Sequence, residues 1–323
     1  MVVVRYEELT VPSQAKLTTV ASLAFTEGPA CHADGSVFYS DILNNRIMRW
    51  TPEGNCVVWR EPSNRTNGQT FDPQGRLLHC EGAEFGSAEG GRRVTRTNLE
   101  SGEYEVLTDH YQGKRYNSPN DICVDAHGNI YFTDPCYDDR SIMEMDCDAV
   151  YRIDMSGNVQ RILSQPAIQR PNGIAVNQEG TMLYLVDSCP EVGGNRKIWK
   201  FSLNEYGVAE QQLELWDFGG GRGADGMRLS ESGNLYIAAG ISTPRGTHEN
   251  RDVPTGVYVL SPLGKMLARI PIAEDVITNL AFGGANGQTI FITAGKTLYR
   301  TQVPDVGEVA YPTWTQLEAG GHE

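Results

Sequence analysis

The 323-residue chain has no apolar run approaching the roughly 18 residues that a bilayer-spanning helix needs. Its first residues, MVVVRYEELT, lack a basic segment followed by a long apolar stretch, so no signal peptide is expected. Basic residues are scarce: 27 Lys and Arg face 41 Asp and Glu, a net charge of −14. That balance argues against nucleic acid or an anionic membrane as partner. Seven cysteines form no CxxC pair, and an odd number of scattered thiols suits a reducing compartment better than a disulfide framework. A cytoplasmic protein is expected, or a periplasmic one if an upstream segment has been removed. The usual nucleophile signatures are missing too, with no GxSxG elbow, no HExxH and six scattered histidines. His79, near Glu81, reads as a satisfied core histidine. Gly221-Arg222-Gly223-Ala224-Asp225-Gly226 matches GxGxxG, but no helix follows it, which excludes a dinucleotide site.

What is present is a repeat. Six times an acidic or amide residue stands eight positions before a glycine: Glu27–Gly35, Asn67–Gly75, Asn120–Gly128, Asn172–Gly180, Asp225–Gly233 and Asn279–Gly287. The glycines are 40, 53, 52, 53 and 54 residues apart, a period that marks a repeat architecture. Around each glycine lie two short β-branched and aromatic runs, the pattern of a hairpin. In the fourth unit these are Ile174-Ala175-Val176 and Met182 to Val186, and two further strand-like stretches follow each hairpin. Four antiparallel strands repeated six times predict an all-β, six-bladed propeller formed as one domain over residues 1–323. Residues 1–24 are expected to help close the last blade, through Val2–Arg5 and Leu17–Leu23.

Strand direction then places the chemistry. Each of the six residues precedes its blade's first, innermost strand, so together they should ring the axis at one face. The returning hairpins bring Asp41, Glu81, Asp134 and Asp187 to that face. The long loops Gly82–Arg93, Pro135–Ala149 and Ile241–Val253 also open there, and loops on a rigid scaffold are where function concentrates. The last loop carries Arg245, His248, Glu249 and Arg251. It reads either as a lid, with His248 a substrate contact, or as a charged surface excursion.

Glu27, Asn120, Asn172 and Asp225 offer two carboxylates and two amide oxygens around one axis. Hard oxygen donors of mixed charge suit one divalent cation, Ca2+ first, with Mg2+, Mn2+ or Zn2+ as alternatives. The competing reading is structural, since Asn-Gly and Asp-Gly form turns. Asn67 and Asn279 share the register and read as substrate-pocket or structural residues.

Thr26-Glu27-Gly28-Pro29, Ser118-Pro119-Asn120-Asp121, Arg170-Pro171-Asn172-Gly173, Gly223-Ala224-Asp225-Gly226 and Thr278-Asn279-Leu280-Ala281-Phe282-Gly283-Gly284 resemble the motifs of the gluconolactonase/regucalcin/luciferin-regenerating-enzyme family. The resemblance runs from about residue 20 to 301. It implies a catalytic divalent cation and hydrolysis of sugar-type lactones. By motif, Glu27, Asn172 and Asp225 would be ligands, Asn120 a ligand or the holder of a water, and Asp121 an adjacent pocket residue. Ser118 stands where the animal regucalcin branch has a sugar-contacting Arg, so that branch's substrate preference does not carry over.

The expected partner is a small-molecule lactone, and the expected state a monomer or small homo-oligomer. Asp225 is the expected ligand and possible base, with Asp121 orienting water or substrate and Asn120, Asp121, Asn67 and His248 as substrate contacts. Hydrolysis of another ester, such as an organophosphate, stays open through Met143, Met145 and Tyr137. A non-enzymatic propeller that binds calcium or a protein partner also stays open.

Overall fold

The register of the six glycines has a conformational cause. Each closes the turn between the first two strands of its blade by donating its N–H to the carbonyl three residues earlier, as in Gly75 to Asp72 and Gly233 to Ser230. All six adopt positive φ, between +66° and +91°, which a Cβ would penalise. The repeat in the sequence is therefore a repeat of one left-handed turn position.

The computed structural model describes residues 4–5, 18–83, 90–244 and 249–310. Six antiparallel sheets follow one another along the chain. Their innermost strands are Thr26–Cys31, Thr66–Phe71, Ile122–Val124, Pro171–Val176, Ala224–Leu229 and Ile277–Gly283. The first four blades take all four strands from consecutive sequence and end at Arg60, Thr108, Ser164 and Asp217. Blade six takes only three strands from the C-terminal end, and Thr18–Ser22 pairs with Thr297–Gln302 as its fourth. Thr18–Ser22 lies within the Leu17–Leu23 stretch expected to help close the last blade. Val4–Arg5 lies elsewhere, as a fifth strand beside Met266–Pro271 on blade five.

Apolar side chains of neighbouring blades interlock between the sheets. Tyr236, Val257 and Ile270 of blade five pack with Leu280, Ile290 and Ile292 of blade six. Tyr116, Phe132 and Tyr151 form an aromatic group, with centroids 5.1 to 5.3 Å apart, that packs with Leu78 and Val94 between blades two and three. All seven cysteines are free thiols, and His79 is fully buried between Gln69 Oε1 and Thr97 Oγ1, each at 3.1 Å. No helix among the described residues is long and apolar enough to cross a membrane.

Candidate active site

The inner strands are irregular where the ring residues stand. The pairing register with the second strand shifts between Glu27 and Ala30, Thr66 and Gln69, Pro171 and Ile174, Ala224 and Met227, and Ile277 and Asn279. Five ring residues therefore lie inside the first strand, at a bulge, and only Asn120 precedes it. A bulge re-aims a side chain that regular pleating would direct between blades.

Glycine follows the ring residue in four blades, and its cause is steric. A Cβ on Gly28 would overlap the carbonyl oxygen of Asn67 and come 2.8 Å from Gly68 Cα. On Gly68 it would meet Asp121 Cα at 2.7 Å, on Gly173 it would overlap the Asp225 carbonyl, and on Gly226 the Asn279 side chain. Thr278 Oγ1 donates to Thr26 O at 2.8 Å and returns the circuit from blade six to blade one. The six ring residues thus encircle one axis, each backed against the next. The X-Gly dipeptide was a readable sign of this packing, masked by its resemblance to an ordinary turn.

Asp121 occupies the place that four blades give to glycine. Its carboxylate takes Arg228 Nη1 at 3.1 Å, the Ile174 amide at 3.2 Å and Asn279 Nδ2 at 3.3 Å. It is 1% exposed, and it raises the pKa of Arg228 against the effect of burial. Blades three to six are cross-linked at this point. On the ring side stand the carboxylates and amides. On the far side lies a cavity of about 100 Å³ lined by Cys31, Phe71, Val176, Arg228, Phe282 and Glu308, away from the ring.

The acids at the ends of the second strands have a structural task. Asp41 accepts the N–H groups of Ala24 and Phe25, Asp134 those of Asn117 and Ser118, and Asp187 those of Gln169 and Arg170, at 2.7 to 3.2 Å. In each case the two amides stand three and two residues before the ring residue. The carboxylate therefore clamps the approach to Glu27, Asn120 or Asn172. Glu81, in the same register, is instead held by Arg60, Arg93, Thr95 and Tyr104.

Glu27, Asn120, Asn172 and Asp225 are between 4% and 8% exposed. Asn172 Nδ2 donates to the Tyr137 hydroxyl at 3.0 Å, which leaves its carbonyl oxygen as the end free to coordinate. Asp225 Oδ2 accepts Arg222 Nη2 at 2.8 Å. Burial raises the Asp225 pKa, opposed by Arg222 and by a hydrogen bond from Asn172. Two buried carboxylates and two amides, facing one nearby guanidinium, are a donor set that fits a hard divalent cation. Asn67 and Asn279 are buried on the same circle, and Asn279 is engaged by Asp121 and the Leu280 amide. His248 and Arg245 lie outside the described residues. Met145 is a core residue packed with Tyr116 and Phe132, so only Met143 and Tyr137 of the expected apolar trio line a pocket. Motif spacing did not reveal the positions of Arg222 and Arg196 beside the ring.

Comparison with known proteins completes the description. Residues 25–296 match the family profile described as SMP-30/Gluconolactonase/LRE-like region. A gluconolactonase of Zymomonas mobilis is 28% identical over 89% of this chain and 81% of its own. The structure of a gluconolactonase from Xanthomonas campestris superposes with a TM-score of 0.75 at 28% identity, covering 94% of this chain and 97% of that one. A calcium-binding regucalcin from Agrobacterium tumefaciens shares the fold, with a TM-score of 0.69 at 16% identity over 91% and 94% of the two chains.

Proposed function

Because this chain belongs to the SMP-30/gluconolactonase/LRE-like family, we propose that it is a lactonase that opens a sugar-type lactone with the help of one divalent cation. The observation that carries this reading is the pair of buried carboxylates, Glu27 and Asp225, on one circle with Asn120 and Asn172. These four would hold the cation, Ca2+ being the first choice for such donors. When bound, the ion supplies Lewis acidity toward a carbonyl and acidifies water.

The chain's own groups do the rest. Asp225 is the proton acceptor: it takes a proton as water adds to the carbonyl carbon and returns it to the ring oxygen as the C–O bond breaks. Asp121 has its oxygens committed to Arg228, Asn279 and Ile174. Its role is to position Asn120 and Asn279 rather than to move protons. The polar wall formed by Asn67, Tyr137, Asn172 and Arg222 supports a polyhydroxylated substrate. An organophosphate would want apolar walls there.

The reading is tested with a lactone panel, chelator and metal add-back. Activity should vanish with EDTA and return with a divalent ion. Chelator-resistant hydrolysis would remove the cation, and no hydrolysis of any lactone would remove the enzyme class.

A pH dependence follows from Asp225. Its raised pKa means that the folded protein keeps a proton there above the ordinary aspartate range of about 3.9. The carboxylate must lose that proton to bind a cation, so affinity should rise with pH, and binding should release protons. Calorimetry in buffers of different ionisation enthalpy checks this. A pH-independent affinity would exclude Asp225 from the donor set.

A further inference from the structure

Arg196 opens the third strand of blade four, Arg196–Leu203, at the ring face. It is 7% exposed, yet no carboxylate lies within 4.0 Å of it among the described residues. Its hydrogen bond runs from Nη1 to the backbone oxygen of its neighbour Asn195 at 3.1 Å. Two other arginines buried to this depth reach more partners within the fold. Arg92 reaches Glu144 and the Tyr116 carbonyl, and Arg65 the Ile42 and Leu43 carbonyls. A guanidinium does not escape burial by losing its proton, and no Arg196 nitrogen is a fully enclosed atom without a partner, so its remaining N–H groups reach the surface, where an anion from outside can pair with them.

Its surroundings place that anion. A Cβ on Gly223, two residues before Asp225, would lie 3.1 Å from Arg196 Cδ. The ionisable groups acting on its charge are Cys189, Tyr137, Glu249 and Arg222. Tyr137 is the partner of Asn172, and Arg222 that of Asp225. Arg196 therefore sits between the attachments of two ring residues, at the mouth. A second guanidinium, Arg222, is beside it, and Glu249 lies 3.8 Å from Arg222. Two positive charges thus face one acid outside the ring.

We propose that Arg196, with Arg222 beside it, is an anion subsite at the mouth of the ring, and that the substrate is a lactone bearing a free carboxylate, of the kind a sugar diacid forms. This rests on the lactonase reading and names its substrate class. A planar guanidinium pairs with a carboxylate through two parallel hydrogen bonds, so it both holds the substrate and fixes its orientation.

The test separates the two readings. Isothermal titration with D-glucarate and D-gluconate, which differ by the second carboxylate, reads the subsite without catalysis. The wild type should bind glucarate about tenfold or more tightly than gluconate, the factor that a charge-assisted pair supplies. R196Q should bring the two within about twofold, and R196K, which keeps the charge but loses the fork, should fall between. In parallel, the ratio of kcat/KM for glucarolactone over gluconolactone should drop by the same factor in R196Q. Equal binding of both acids by the wild type would overturn the subsite, as would an unchanged discrimination in R196Q. Tighter binding of 6-phosphogluconate than of glucarate would overturn the carboxylate assignment. Selective glucarate binding without hydrolysis of any lactone would uphold the subsite and end the lactonase reading.

Discussion

Replacing Asp225 with Ala should abolish lactone hydrolysis while leaving the propeller folded. The two effects part because of where the residue stands. Asp225 is at the bulge of its inner strand, and its side chain meets Arg222 and Asn172 at the mouth rather than the apolar packing between blades. Removing a buried carboxylate that is already costly to ionise takes little from stability. It leaves Arg222, which is a quarter exposed, free to turn to solvent. The loss to function should be large, because one of two ring charges and the proton acceptor disappear together. A fall of about a thousandfold or more in kcat/KM is expected, the upper end of what losing one electrostatic contact to a transition state costs. Cation affinity should fall with it by about a hundredfold. Thermal denaturation checks the fold and a lactone assay the activity. Full activity in D225A would end the mechanism, and D225N, which keeps the shape without the charge, should be nearly as inactive.

The second large effect is expected at Gly173→Ala. One methyl group here would overlap the Asp225 carbonyl and approach Gly226 Cα at 2.8 Å. Both obstacles are backbone, so no side chain can swing away and blades four and five must separate. They would separate between Asn172 and Asp225, within the ring. A destabilisation of about 3 kcal/mol is expected, the upper range for overpacking a tight site. Cation affinity should weaken too, since two of the four donors move apart. Gly54→Ala is the control: its turn has φ +90° but nothing within 4 Å of a new Cβ. It should cost about 1 kcal/mol through backbone strain alone and leave affinity unchanged. Equal effects of the two substitutions would mean that blade contact at the ring is not tight.

The sequence spoke clearly about what repeats. Six left-handed turns require six glycines, and alternating apolar runs require strands, so blade count and strand order could be read from Gly35 to Gly287. It spoke less clearly about what happens once. Asp121 looked like a pocket residue because it follows Asn120. Its partner Arg228 is 107 positions away and belongs to no motif. Asp41, Asp134 and Asp187 were correctly brought to the ring face. Their task of clamping backbone amides depends on which N–H groups lack a partner there, and no spacing rule records that. The bulges were invisible because the ring residues look like turn residues standing just before the first strands. Arg196 gave no signal at all, since its interest lies in having no carboxylate within 4.0 Å among the described residues. Residues 1–24 read as a stretch that helps close the last blade, and the two strands described within it, Val4–Arg5 and Thr18–Ser22, pair on two different blades.

The pairing of Thr18–Ser22 with Thr297–Gln302 fixes an order of events during synthesis. The closing strand leaves the ribosome ahead of the six inner strands, and its partner is made some 280 residues later. At about 5–20 residues per second, it waits tens of seconds unpaired while the earlier blades form beside it. A nascent chain cut short before residue 297 would hold an open arc with two bare edges, the kind of surface that recruits other strands. For this protein, assembly is finished only when its last blade is in place.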